Sequence, residues 1–116
     1  MKNNQLSKLL NDNKSIVVPG GGTAIELRLA EIAGFKAGYV SGYATAAAVF
    51  GVPDVGLIAY KEMLENFNAI RLSTKIPLIV DCDTGYGDIA NVIRTVSGFE
   101  NAGACAVQLE DQKWPK

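Results

Sequence analysis

The stretch Ile76–Asp88, IPLIVDCDTGYGD, decides the fold. An apolar run of strand length ends at Asp81, and a second acid, Asp83, comes two residues on with Cys82 between them. The glycine-flanked TGYG then supplies a turn, and Asp88 is placed to cap a helix over Ile89–Asn101, with Ala102-Gly103 closing it. Strand, turn and helix in immediate succession make one βα unit. In a strand of period two, Asp81 and Asp83 would point to one side and Cys82 to the other.

Working outward, the same alternation recurs on both sides. Ser15–Pro19 (SIVVP) reads as a buried first strand. Thr23 and Glu26 have the spacing of a capping box, and Ile25, Leu27, Leu29, Ile32 and Ala33 give the helix behind them an apolar face that Gly34 can close. Gly38–Ser41 reads as the second strand and Tyr43–Phe50 as a short helix, with a loop at Pro53-Asp54. Met63, Leu64, Phe67, Ile70 and Leu72 mark a helix over Ala59–Ser73, Ile76–Asp81 is the third strand, and Cys105–Glu110 is the fourth. Four strands separated by helices imply parallel pairing with right-handed crossovers. A small open doubly wound sheet and the N-terminal half of a (β/α)8 barrel both satisfy that pattern. Residues 1–116 form one domain, partial in the second case, with residues 1–14 a polar and helical lead-in.

Composition narrows the function. The chain has 116 residues with a net charge of −1, which excludes a nucleic-acid binder or a polybasic membrane binder. No apolar run reaches the roughly 20 residues of a membrane span, and the polar N-terminus lacks the apolar stretch of a secretion signal. Cys82 and Cys105 lie in apolar runs, as small core residues of a reducing compartment do, so a cytoplasmic setting is expected. The sequence contains no His, so no His-based triad or zinc site can be built from this chain alone.

In either architecture the loops at the C-terminal ends of the strands gather on one face, where ligands bind. That selects PGGGT, SGY, DCDTGYG and LEDQ. Asp81, Asp83 and Glu110 are acids at neighbouring strand ends, and Asp54 lies in a loop that can fold over the same face. Carboxylates crowded together repel unless a cation sits among them, and oxygen donors suit Mg²⁺ or Mn²⁺. Helix capping and turn formation are the competing roles for such acids. PGGGT opens a helix after a strand, as a phosphate loop would, but it matches neither established glycine spacing, so a flexible turn is the better reading. Ser41-Gly42-Tyr43 allows backbone N–H groups to approach a carboxylate or phosphonate. Tyr86 either lines the pocket or covers the loop, and the sequence does not fix a partner for Trp114.

Three stretches, GFKAGYVSGYATAAAVFGVPDVGL, PLIVDCDTGYGDIANVIRTV and VQLEDQKWPK, together resemble the isocitrate lyase/phosphoenolpyruvate mutase superfamily, most nearly its methylisocitrate-lyase-like branch. The resemblance runs from about Val18 to Lys116, and its D-x-D-T-G-[YF]-G and L-E-D-Q motifs are specific. It implies the N-terminal portion of a (β/α)8 barrel and a Mg²⁺-dependent lyase of 2-hydroxy or 2-oxo carboxylic acids that forms homo-oligomers, tetramers in the full-length family. Asp81 would be the direct metal ligand, with Asp54, Asp83 and Glu110 holding its waters. Ser41, Gly42 and Tyr43 would grip a substrate carboxylate, Tyr39 would line the pocket, and Lys116 would open the K-[KR]-C-G-H loop. The acid/base cysteine of that loop lies beyond Lys116, so no catalytic residue is assigned within the chain, which is expected to be inactive alone. PGGGTAIEL departs from the family pattern at the first loop. Phosphonate mutase or oxaloacetate decarboxylase chemistry, or a non-catalytic half-barrel that assembles with partners, are the alternatives.

Overall fold

The computed structural model describes residues 5–12 and 15–114. Helix α1 (Gln5–Asp12) precedes four strands, β1 (Gly20–Gly21), β2 (Gly38–Val40), β3 (Leu78–Asp81) and β4 (Ala106–Gln108). Between them run α2 (Ala24–Ile32), α3 (Gly42–Thr45) with a π-helical turn (Ala46–Phe50), α4 (Tyr60–Ser73) and α5 (Ile89–Ala102). All strands are parallel in the order β1-β2-β3-β4.

Which face the helices take separates the two architectures. One cluster joins Leu27 of α2, Met63, Phe67 and Ile70 of α4, and Phe99 of α5 to Val40, Leu78, Val80 and Cys82 of the sheet. The three long crossover helices therefore pack on the same side, whereas a doubly wound sheet carries helices on both. Sequential strand order with one-sided helices is the wall of a barrel. Phe67 and Phe99 meet edge to face with centroids 5.6 Å apart, the favoured aromatic geometry, at the centre of this layer. On the other face Ile79 and Ala106, with Ile16 and Val18, pack around Leu6 of α1, Ala37 and Cys105. Among the described residues no helix is long and apolar enough to cross a membrane.

Several local expectations hold. Thr23 Oγ1 accepts the Glu26 N–H while the Glu26 carboxylate takes the Thr23 N–H, a complete capping box. Asp88 caps α5, and Gly103 closes it in the left-handed region at φ 97°. Gly34, at φ 93°, comes after the last turn of α2.

Others are corrected. Ser15–Pro19 is not a buried strand: the ladder is at Gly20–Gly21, and Val17 is 73% exposed. Pro19 has no N–H to give, and pairing begins where its carbonyl accepts the Tyr39 N–H at 2.9 Å. PGGGT is thus strand and tight contact, not a flexible turn. Of the apolar residues assigned to α2 only Leu27 is buried, while Ile25, Leu29 and Ile32 are exposed. One narrow line of α2 reaches the sheet, and the rest of its apolar surface lies outside it. Leu72 is likewise exposed. The Tyr43–Phe50 helix is split, α-helical to Thr45 and π-helical beyond.

The first loop is fixed by backbone contact. A Cβ on Gly22 would lie 2.3 Å from Ala44 C and 2.4 Å from Thr45 N, atoms that cannot move aside as a side chain can. Asn66 of α4 pins the same junction, its Nδ2 donating to the Gly22 carbonyl at 2.8 Å and to Thr45 Oγ1 at 3.2 Å. Gly22→Ala should therefore cost about 3 kcal/mol or more, a fall of more than roughly 10 °C in Tm for a chain of this size. At Gly34 a Cβ would meet nothing, so Gly34→Ala should cost only the left-handed backbone term, about 1 kcal/mol. Thermal unfolding followed by circular dichroism separates the two, and equal losses would show that the Gly22 contact is not a constraint.

Candidate functional site

The C-terminal rim of the sheet is organised around Asp81, the last residue of β3. It is buried, 8% exposed, and so is Asp83. Asp81 Oδ2 accepts the Gly42 N–H at 3.1 Å and Oδ1 accepts the Asp83 N–H at 3.2 Å. The Tyr39 phenol lies near this carboxylate. Both hydrogen-bond donors are neutral backbone N–H groups, one from the start of α3 and one from the turn that follows β3. A buried carboxylate is tolerated only when so bonded.

The strand stops at Asp81, because Asp83 turns into the left-handed region at φ 46°. The two carboxylates are therefore related through a turn rather than by strand alternation. Cys82 still faces away from them, into the helix-side core. Two bonds fasten the next loop to this turn: Cys82 N–H to the Gln108 carbonyl at 3.0 Å, and Glu110 N–H to the Asp83 carbonyl at 2.7 Å. Glu110 is thereby delivered to the same rim, where its carboxylate accepts Gln112 Nε2 at 2.5 Å. Asp54 is solvent-exposed on a segment that, with Asp83, Gly42, Ala46 and Tyr86, lines an open depression of about 260 Å³.

Asp81, Asp83, Glu110 and Asp54 thus share one end of the sheet. Among the described residues, no three His, Cys, Asp or Glu side chains converge tightly enough to cage an ion alone. The donor set fits Mg²⁺ or Mn²⁺ in the manner usual for Mg²⁺, one or two carboxylates in direct contact and waters elsewhere. It offers buried, hard oxygen donors whose described partners at Asp81 carry no charge.

The remaining expected contacts are spread more widely. The Tyr39 ring lies over Gly20, close enough to meet a Cβ there at 3.5 Å. Ser41 Oγ caps α3 through the Ala44 N–H at 3.2 Å, and the Ser41 N–H goes to the Gly21 carbonyl. With the Gly42 N–H on Asp81, a substrate carboxylate at Ser41-Gly42 would compete with acceptors already in place. Tyr43 is 66% exposed. Lys116 lies outside the described residues. The phosphate-loop alternative for PGGGT finds no support in its amides, since the Gly22 and Thr23 N–H groups both donate to Glu26 Oε2.

Burial governs the titration of the groups around the acids. It pushes the Tyr39 phenol above its usual range, helped by the charge of Asp81, the hydrogen bond to it, and the charge of Glu110. Tyr86 is raised chiefly by burial and then by Cys82, Asp83 and Asp81. Tyr86 takes a left-handed backbone at φ 61° and lines the depression. Cys82 is pushed up to about 12 by burial and then by Asp81 and Asp83. Sequence reasoning missed Asn66 altogether and took Thr84 only as one letter of the D-x-D-T-G-[YF]-G motif. Thr84 Oγ1 accepts the Trp114 Nε1–H at 2.6 Å, a pairing that no local spacing marks.

The phosphoenolpyruvate phosphomutase family model matches residues 6–116. An isocitrate lyase of Haloferax volcanii is 44% identical over 99% of this chain and 33% of its own length. A 2,3-dimethylmalate lyase of Eubacterium barkeri is 42% identical over 97% of this chain and 39% of its own. A crystal structure of phosphonopyruvate hydrolase in complex with oxalate and Mg²⁺ superposes with a TM-score of 0.91 at 35% identity, covering 100% of this chain and 41% of that one. The chain therefore spans between a third and about two-fifths of the length of these relatives.

A thiol at about 12 is only about one part in ten thousand thiolate near pH 8. Native Cys82 should therefore resist iodoacetamide near pH ~8, whereas the urea-unfolded chain should be alkylated at both cysteines. Peptide mass spectrometry reads the outcome, and rapid native labelling of Cys82 would contradict its placement.

Proposed function

The chain belongs to the phosphoenolpyruvate phosphomutase family, and from that premise we propose that it forms the metal-binding N-terminal part of a Mg²⁺- or Mn²⁺-dependent enzyme that cleaves a carbon–carbon bond of a 2-hydroxy or 2-oxo carboxylic acid. The observation that carries this reading is Asp81, buried at the end of β3 beside Asp83 and held by the neutral backbone N–H groups of Gly42 and Asp83. The names of the lyase relatives support the carbon–carbon bond as the target.

The chemistry is set by where charge develops. Cleaving a 2-hydroxy acid removes a proton from the hydroxyl and leaves an enolate-like fragment with negative charge on oxygen. A bound divalent ion supplies electrostatic stabilisation of that charge. Asp81, whose two backbone donors fix the plane of its carboxylate, would hold the ion, and Asp83, Asp54 and Glu110 would hold its waters. Tyr39 stays protonated well above neutral pH and so adds no second negative charge beside Asp81. Cys82 faces the core as a neutral thiol and takes no part in proton transfer. No described residue is assigned as the acid or base for the carbon centre.

The test is thermal. Mg²⁺ or Mn²⁺ at roughly tenfold over its Kd should raise Tm by about 5 °C, and Asp81→Ala should abolish most of that rise. The comparison is between shifts, since the substitution changes the baseline Tm as well. Absence of any shift in the unsubstituted chain at millimolar metal would remove the metal reading.

A second reading, assembly through the sheet edges, is favoured by one feature. An apolar groove of about 280 Å³, lined by Val96, Ala104, Ala106 and Val107 with Glu100, lies beside the outer edge of β4. Among the described residues, strands β1 and β4 each pair on one side only, and such edges recruit further strands. Light scattering at increasing concentration is expected to show self-association, and a monomer throughout would exclude this second reading.

A further inference from the structure

Trp114 stands outside every role assigned so far, and it is the only tryptophan of the chain. Its indole N–H donates to Thr84 Oγ1 at 2.6 Å, in the turn that carries Asp83. Its ring lies on Gly56: a Cβ there would come 2.3 Å from Trp114 Cζ3 and 2.6 Å from Cη2, and Gly56 sits at φ 78°. Gly56 is two residues past Asp54, and Pro53, Asp54, Gly56 and Leu57 line the depression together with Asp83. One side chain from beyond β4 therefore touches both the β3–α5 turn and the segment that brings in Asp54. That segment is otherwise exposed, from Asp54 through Leu57.

We propose that Trp114 is a positioning residue: by bonding to Thr84 and covering Gly56 it holds the 53–57 segment, and Asp54 with it, against the Asp83 turn, and so sets how tightly the acidic rim takes a divalent cation. The contact with Gly56 supplies apolar cover and the hydrogen bond supplies direction. Only a residue without a Cβ allows the ring to lie this close, so Gly56 and Trp114 work as a pair. The effect on the cation rests on the metal reading above. The hold on the loop does not.

The experiment uses the full chain with Trp114→Phe, which keeps an apolar ring and removes the N–H, with Thr84→Val, which removes the acceptor at nearly constant shape, and with both together. Hydrogen–deuterium exchange followed by mass spectrometry reads the loop, and free Mn²⁺ measured by electron paramagnetic resonance reads the cation. Amides of residues 54–58 should exchange faster in each single variant while those of α5 keep their rates. The Kd for Mn²⁺ should rise about fivefold in each, the worth of one ordinary hydrogen bond, and the double variant should add little more, because both changes break the same link. Unchanged exchange at 54–58 in both variants would overturn the proposal whatever the metal does. A loosened loop with unaltered Mn²⁺ affinity would overturn its link to the cation. If the unsubstituted chain takes up no Mn²⁺, the metal reading and that link fall together, and the exchange rates alone decide the hold on the loop.

Discussion

A carboxylate at the buried end of a strand must be satisfied by neighbours, and here Asp81 meets that demand by reaching across the chain. Gly42 is 39 positions earlier, yet its N–H is the donor to Asp81 Oδ2. The approach is close: a Cβ on Gly42 would lie 3.0 Å from that oxygen, so a side chain there would crowd the bond. Leaving a buried acceptor without its donor costs roughly 1–3 kcal/mol, and more when the acceptor is charged. The loop after β2 and the end of β3 are therefore fixed with respect to each other before any ligand is considered. Tyr39, three residues before Gly42, brings the same stretch of chain close to this carboxylate through its phenol.

The other rim loops are fastened in the same way, each by the neighbouring unit and not by itself. The turn at Gly22 rests on the backbone of Ala44 and Thr45 and is held by Asn66. The turn at Asp83 carries the backbone of Glu110. At the opposite, N-terminal end of the sheet Arg71 reaches from α4 to the Thr74 and Ile76 carbonyls to set the entry into β3. Glu31 of α2 accepts from Thr74 Oγ1 and from the Lys75 N–H, joining α2 to the same entry. Such cross-fastening gives a rim whose polar groups are pre-aligned, the condition under which electrostatic stabilisation is effective.

Local chemistry was legible in the sequence wherever it acts within a few residues. Thr23 with Glu26, Asp88 before α5 and Gly103 after it are written as adjacent letters, and each does what its spacing dictates. That the loops bearing Asp81, Asp83 and Glu110 lie at one end of the sheet was legible too, because parallel βα units fix the end at which their loops lie. Absent from the letters was anything decided by the residues lying opposite. The first strand moved from SIVVP to two glycines because register with Tyr39 and Val40, not apolarity, sets the ladder. Three of the apolar residues of α2 face away because only the line at Leu27 meets the sheet. Trp114 and Asn66 act over separations that no local pattern encodes. Asp54 remained divided between turn and site for the same reason.

The π-helical turn at Ala46–Phe50 has a consequence for how this region tolerates change. It ends at Gly51 in the left-handed region, with the Val52 N–H returning to the Ala46 carbonyl at 3.0 Å, and Asp54 comes shortly after. A wide turn holds one residue more than the α-helix would over the same span. Deleting a single alanine here would change neither polarity nor hydrophobicity, yet it would swing the downstream segment by roughly 100° about the helix axis. Asp54 would leave the rim although every side chain around it was intact. Between β2 and α4, the count of residues is thus a heritable specification in its own right, and homologous sequences that differ there by an insertion or deletion should be aligned by that geometry before their acids are equated.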